Sequence, residues 1–474
     1  MGKAEEMDEE PENDALNQLY EETNYWHINQ GDEQIYAKRI PGKFRNIKWA
    51  TASLYLFYFF GPYLRWDGAQ AILFDIPGRK YHIFGLTIWP QDMWMLALVL
   101  LTFFLLLYAA TTFAGRVFCG YFCWQTVWVD IYTWIEEKFE GPPHIRKALD
   151  NAPWTAKKIA IKSGKNSIFL LLSWLTGFTF TAYFIDVYDL WSRTIALEGP
   201  IYIWTVPLTF LIGSYIGVAI LREQICFWMC PYARIQGVMS DPETIMPTYD
   251  YKRGEKRARI KKGDPAPDTG DCVDCHLCVA VCPVGIDIRH GQQEGCITCG
   301  LCIDACDTIM DKVKRPKGLI RYMSLDELIG KKGIPLFKRG RMWLYSTLIL
   351  LSFGGIAYGL ANMGAMKLTV IHERQPLYTQ LSDGSIQNKY TLKIVNKTDD
   401  EMTFNVYIKG IDNAILSTRP KVITAPSGKV LAVQAFVKVK PENLNDEHEP
   451  IIFYVENTAN KEMKSRYKST FIAP

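Results

Sequence analysis

Cysteine is absent from the whole chain beyond Cys306, although the 474 residues contain 12 of them. They fall in three places only: Cys119/Cys123, Cys226/Cys230, and eight between Cys272 and Cys306. Such confinement excludes a disulfide framework and puts the thiols on a reducing side. No Gly-rich dinucleotide fingerprint or flavin motif occurs, so electrons handled here would come from another protein or from a quinol. The first 40 residues are rich in Asp and Glu and lack an apolar run, so no cleavable signal peptide is expected and the stretch reads as a mobile tail. Histidine is scarce at 7 residues, and His372 and His448 are too isolated to suggest a metal site. The net charge of +3 says little, because its signs are segregated along the chain.

Apolar side chains are abundant. They make up 49% of the chain, with 13% aromatic residues and 14 Trp, which points to a membrane protein. Five windows have the roughly 20 apolar residues a bilayer crossing needs: about 47–64, 92–113, 167–185, 201–221 and 342–361. The intervening segments 115–165 and 222–341 are heavily basic, whereas 186–200 carries only Arg193. Basic short loops stay cytoplasmic, so the amino terminus and the cysteine-rich segment are expected inside and everything after about 362 outside. The basic run Tyr251–Lys262 reads first as an anchor to anionic lipid, with docking of an acidic electron donor such as a flavodoxin as the alternative, and no nucleic-acid partner is expected.

The stretch "CVDCHLCVAVCPVG" followed by "CITCGLCIDAC" has the spacing of a bacterial two-cluster ferredoxin. In that arrangement Cys272, Cys275, Cys278 and Cys306 share one [4Fe–4S] cluster, and Cys296, Cys299, Cys302 and Cys282 the other. Asp307 stands where a second proline is usual, with all eight ligands intact. Zinc prefers paired knuckles of four ligands, which two overlapping triplets fit poorly. His276 lies inside the first loop and reads as a surface side chain, with tuning of a cluster as the sharper alternative.

Two further pairs follow apolar windows, in "RVFCGYFCWQ" and "REQICFWMCPYARIQ". Cys119 and Cys226, like Cys123 and Cys230, stand 107 residues apart, which suggests an internal repeat of two hairpins. Helical i, i+4 partners have Cβ atoms roughly 5–6 Å apart, too far for a disulfide without local unwinding. Facing pairs would offer four soft thiolates, suited to Cu(I), zinc or an iron–sulfur centre; buried packing cysteines are the bland alternative.

From about 367 the pattern alternates over short segments such as "MKLTVIHER" and "KVLAVQAFVKVKP", the signature of an immunoglobulin-like sandwich. The expected organisation is an acidic cytoplasmic tail (1–46), four transmembrane helices with the two C-x3-C pairs (47–240), a cytoplasmic ferredoxin domain with basic linkers (241–340), a fifth helix (341–362), and a periplasmic sandwich (363–474). The fold class is thus a five-helix α bundle with an inserted 2[4Fe–4S] domain and a C-terminal all-β domain.

Taken together, "FCGYFCWQTVW", "REQICFWMCPYARIQ", "YDYKRGEKR", the two cysteine runs and "PKGLIRY" resemble the FixG/CcoG/RdxA family of cbb3-type cytochrome c oxidase accessory proteins. The resemblance implies a protein of the bacterial inner membrane that acts as a cupric reductase, converting Cu(II) to Cu(I) for oxidase assembly. It implies oxidase assembly factors or a copper transporter as partners. It also assigns Cys119, Cys123, Cys226 and Cys230 to copper handling, and expects a proline where Trp124 stands. A quinone-linked electron carrier and a non-catalytic assembly scaffold are the competing readings.

Overall fold

The computed structural model describes residues 34–474, apart from 79, 85, 89–91, 260–268, 332–337, 363, 365, 399–400, 427–428, 445 and 462. Most of the acidic tail and the end of the basic run Tyr251–Lys262 therefore lie outside the described residues. The chain forms two compact units, one from residues up to 73 together with 98–353, the other from 74–97 together with 354–474.

The first unit is helical. The helices that bear on the site are α1 (Lys43–Ser53), α2 (Met93–Ala114, shared with the second unit), α3 (Val117–Tyr121), α4 (Trp124–Glu140), α5 (Ala156–Ala182), α6 (Tyr202–Ser214), α7 (Pro231–Met239), α8 (Leu301–Val313) and α9 (Gly340–Ala361, also shared). Helix α6 runs on as a π-helix over Tyr215–Leu221.

Three helices among the described residues are long and apolar enough to cross a membrane, not the five expected: Met93–Ala114, Tyr202–Leu221 and Gly340–Ala361. The window at 47–64 is broken. After α1 the helix resumes only over Leu56–Phe60 and then tightens into a 3-10 turn at Gly61–Tyr63, where Pro62 sits. At its foot Arg45 and Lys48 are buried on Asp130, so that end serves an ion-pair cluster. Helix α5 has the length, 27 residues, but Lys157, Lys158, Lys162 and Lys165 occupy its first half and its continuous apolar run starts at Ile168. Helices α2 and α9 meet at a buried polar contact, Thr102 Oγ1 to Ser352 Oγ at 2.6 Å, the kind of small-residue bond that joins helices in lipid.

The cysteine-rich segment is closed by a two-stranded antiparallel ribbon. Strand β1 (Met246–Tyr249) precedes it, β2 (Ile320–Met323) follows it, and they pair from Met246↔Met323 to Tyr249↔Ile320. The chain between them is thereby a closed lobe.

The second unit is a sandwich of β3 (Met366–His372), β4 (Ile386–Asn396), β5 (Met402–Lys409), β6 (Ile415–Arg419), β7 (Ile423–Ala425), β8 (Val430–Val439), β9 (His448–Asn457) and β10 (Lys464–Ile472). One sheet runs β6-β8-β4-β3 with the short strand Thr379–Gln380 added on β4, and the other runs β7-β5-β9-β10; the pairings are antiparallel. Alternate residues such as Val433, Ala435, Val437 and Val439 point inward and are fully buried. Tyr390 Oη donates to Thr470 O at 2.9 Å and Asn388 Nδ2 to Ile472 O at 2.8 Å, which stitches the two sheets.

Candidate functional site

The two cysteine runs fold into loops of the same backbone shape. Asp274 and His276 flank Cys275 with φ of 50° and 54°, and Thr298 and Gly300 flank Cys299 with φ of 55° and 70°. Left-handed residues on both sides of the middle cysteine curl each loop so that its thiols face one centre. At Gly300 no other residue is free to serve, because a Cβ there would lie 2.8 Å from the Phe44 ring and 3.0 Å from Tyr322 Oη. Helix α8 then holds Cys302 in its first turn and carries Cys306 away from the second loop to the first set.

Two cavities gather these thiols. Cys272, Cys275, Cys278 and Cys306 line one, with Tyr249, Leu277, Ile309 and Met310 among its walls. Cys282, Cys296, Cys299 and Cys302 line the other, with Val284, Ile286 and Leu301, and Cys278 borders it as well. No group of three or more His, Cys, Asp or Glu among the described residues converges tightly enough for a single metal ion. Four thiols around a cavity, spaced too widely for one ion, fit a cubane cluster better than zinc. Burial pushes the Cys278, Cys282, Cys296 and Cys306 thiols up to about 12. They stay protonated unless a bound metal draws the protons off. Thr298 N already donates to Cys296 Sγ at 3.4 Å, the backbone-to-sulfur bond by which a protein tunes such a site.

His276 sits at the surface of the first loop with 53% of its side chain exposed. Its Nδ1 is 2.8 Å from Arg289 Nη2, and Arg289 is in turn held by Asp287 at 2.5 Å and by Asp274. The imidazole is thus engaged with charged side chains.

The other four cysteines occupy a repeated device. Cys119 lies in α3 and Cys226 in the π-turn Ile225–Met229, while Cys123 and Cys230 are the extended N-cap residues of α4 and α7. Cys123 N donates to Phe118 O and Cys230 N to Ile225 O, both at 2.9 Å. The helix unwinds at the same point in both halves. Trp124 takes the first helical position that Pro231 takes in the second half, where a backbone N–H has no helical partner anyway. All twelve thiols are free. Burial first, then the neighbouring Cys123 sulfur, pushes Cys119 and Cys226 up to about 12, with Arg116 opposing; the four do not converge tightly on one point.

The device rests on the second cysteine loop. Arg116 N donates to Thr298 Oγ1 at 3.0 Å and Tyr121 Oη to Cys299 O at 2.8 Å. Cys119, Phe227, Cys296, Ile297 and Cys299 share one buried apolar core. None of these contacts is written in the cysteine spacing; the small residue in "CGYFC" was the one available signal.

A second feature lacks a sequence signal, a row of carboxylates along α4 of which Glu136 and Glu140 are buried and Asp130 is half-buried. Asp130 receives Arg39 and Arg45 at 2.7 Å and Lys48 at 3.8 Å. Glu136, nearly inaccessible, is bonded by Arg146 at 3.1 Å and also by Lys165 and Arg222. Glu140 takes Lys162 at 2.8 Å and Lys165 at 2.9 Å. Three of the basic residues that marked segment 115–165 as cytoplasmic, Arg146, Lys162 and Lys165, therefore pair internally. Residues 37–45 join in: Lys38 N donates to Ala280 O at 2.7 Å, and Phe44 N and Arg45 N to Asp304 Oδ2 at 2.9 and 3.2 Å. The described part of the tail is thus docked on both cysteine loops' lobe and α4.

Comparison with known proteins gives three domain matches. Residues 96–142 match the family model "4Fe-4S binding domain", 221–325 match "4Fe-4S dicluster domain", and 356–474 match "IG-like fold at C-terminal of FixG". Over 487 residues the chain is 34% identical to "Nitrogen fixation protein FixG" of Rhizobium meliloti, covering 93% of each chain. It is 38% identical to "Protein RdxB" of Cereibacter sphaeroides, covering 85% of this chain and 88% of that protein. "Protein RdxA" of the same organism is also 38% identical, over 79% of this chain and 82% of the relative. A crystal structure of a FixG-related protein from Vibrio parahaemolyticus aligns with 23% of this chain and 97% of its own, at 27% identity and a TM-score of 0.21.

Proposed function

The chain belongs to the FixG and RdxA/RdxB family of membrane iron–sulfur proteins, and from that premise we propose that it reduces Cu(II) to Cu(I) at the inner membrane face for assembly of a cbb3-type oxidase. The observation that carries this reading is the packing of the Cys119, Cys123, Cys226 and Cys230 device on the loop that holds Cys296 and Cys299. A soft thiol set beside an electron-storing lobe is what one-electron reduction of a soft-ion precursor requires.

In this reading Cys272, Cys275, Cys278 and Cys306 hold one [4Fe–4S] cluster, and Cys282, Cys296, Cys299 and Cys302 the other. When bound, these clusters supply one-electron storage at a potential set by the surrounding protein. The chain's own residues do the rest. Val284, Ile286 and Leu301 keep water from the second set, and Thr298 N offers its hydrogen bond to Cys296 Sγ. Arg116, buried beside the device, favours the thiolate forms of Cys119 and Cys226 that a copper ion needs.

The accompanying topology has five crossings, with the broken 47–64 segment and the apolar half of α5 joining the three long apolar helices. The cysteine lobe then faces the cytoplasm and the sandwich the periplasm, in a position to meet oxidase assembly factors. An electron donor, protein or quinol, approaches the lobe from its own side of the membrane.

Anaerobic reconstitution of the detergent-solubilised protein tests the assignment of ligands and substrate together. Replacing Cys226 and Cys230 by Ser should leave full iron and both cluster signals while abolishing reoxidation by Cu(II). Reoxidation at the native rate in that variant would sink the copper reading.

A further inference from the structure

Gly120, between Cys119 and Cys123, lies hard against the second cysteine loop. A Cβ added to it would stand 2.5 Å from Ile297 O, 3.2 Å from Cys299 Cα and 3.3 Å from Cys299 Cβ. Separations below about 3 Å from backbone atoms are not accommodated without movement of one chain past the other. The neighbouring bonds hold the contact from both sides: Tyr121 Oη to Cys299 O at 2.8 Å and Arg116 N to Thr298 Oγ1 at 3.0 Å. Tyr322 Oη in turn donates to Thr298 O at 2.8 Å, so the loop is braced from behind.

The second half of the thiol device meets the same loop. Phe227, next to Cys226, is buried in the shared core, and its ring would lie 3.0 Å from a Cβ at Gly295, the residue before Cys296. Two glycines, one on each side of the interface, therefore permit close approach where any side chain would act as a spacer. Among the described residues, the first set's own core of Cys278, Tyr249, Ile288, Ile303, Met310, Leu319 and Ile320 includes no residue of the device. Its Cys275 is exposed.

We propose that Gly120 is a positioning residue that couples the Cys119/Cys123 pair electronically to the second thiol set through van der Waals contact with Cys299, making that set the point from which electrons leave the lobe. This rests on the copper reading for its acceptor. With its cluster bound, the Cys282, Cys296, Cys299, Cys302 set would supply one electron to Cu(II) at the thiol device, leaving the cluster oxidised by one electron and the copper as Cu(I), with no bond transferred. Gly120 approaches the backbone of Ile297 and Cys299 so closely that no methyl group fits between them, which keeps the route short.

The test compares the full-length reconstituted protein with Gly120→Ala, Tyr121→Phe and the control Gly213→Ala, whose added Cβ meets open space. Each is assayed for iron content, melting temperature, EPR spectrum and midpoint potentials after reduction, and rate of reoxidation by Cu(II). Gly120→Ala should alter the EPR signal and potential of one cluster only and slow reoxidation several-fold, with iron content retained and Gly213→Ala behaving as wild type. If Gly120→Ala loses iron, Tyr121→Phe, which removes one hydrogen bond and keeps the ring, is read by the same criteria. Unchanged signals and rates in an iron-replete variant would overturn the proposal. A shifted cluster signal in protein whose clusters ignore Cu(II) even as wild type would retain the coupling and reject copper as the acceptor.

Discussion

Asp130 shows how much a single half-buried carboxylate carries here. Burial raises its carboxyl, yet Lys48, Arg45 and Arg39 outweigh burial and hold it down at about 2. An unfolded aspartate titrates near 3.9, so the stability that this group lends is complete above about pH 4 and is lost as pH falls through about 2. Asp130→Asn would leave three clustered cations without their anion, and removing one partner from such a buried set costs about 3–5 kcal/mol. Denaturant unfolding of the detergent-solubilised protein at neutral pH should show that loss, and the variant should lose the part of the acid-induced decline that this group contributes. At Gly300 the expectation concerns the metal site: its φ of 70° and the contacts with Phe44 and Tyr322 leave no room for a methyl group. Gly300→Ala should cost roughly 1–2 kcal/mol from the left-handed backbone alone and release iron from the second set first, as followed by iron analysis during mild denaturation.

At the level of elements, the repeated thiol device shows what a sequence reveals and what it withholds. The 107-residue spacing is a property of the chain and was readable as such. That the helix unwinds before each second cysteine was not, because it depends on where Phe118 and Ile225 place their carbonyls. The expectation of proline at 124 also becomes intelligible. Trp124 occupies the first helical position and uses its ring against Trp128 at 4.2 Å, Tyr55 at 5.0 Å and Tyr58 at 5.1 Å. Trp124→Pro should therefore preserve the helix start, iron content and copper-driven reoxidation, while loss of three ring pairs lowers stability by roughly 1–3 kcal/mol in a melting experiment. The sandwich was legible because its strands alternate with period two. In the 47–64 window Gly61-Pro62 marks a weak end in the sequence itself, and the turn falls there; what hydropathy does not register is Arg45 and Lys48 reaching back to Asp130.

For the whole molecule, twelve clustered cysteines and segregated charges foretold a redox lobe on a membrane anchor. What they could not foretell is contact across long separations, such as Gly120 on Cys299 or Asp304 capping α1 through Phe44 N and Arg45 N. Those depend on tertiary closure. The proposed topology has its own check: protease added to spheroplasts should remove the region after about 362 and leave the cysteine lobe intact, and the reverse pattern would invert the orientation.

The most direct measurement is anaerobic stopped-flow mixing of the chemically reduced protein with Cu(II) and a Cu(I)-specific chelator, following cluster absorbance and the chelate together. Cluster reoxidation and Cu(I) formation should proceed at one rate, with one Cu(I) formed per electron lost, and both should fail when Cys226 and Cys230 are replaced by Ser. Reduced clusters that persist in the presence of Cu(II) would contradict it.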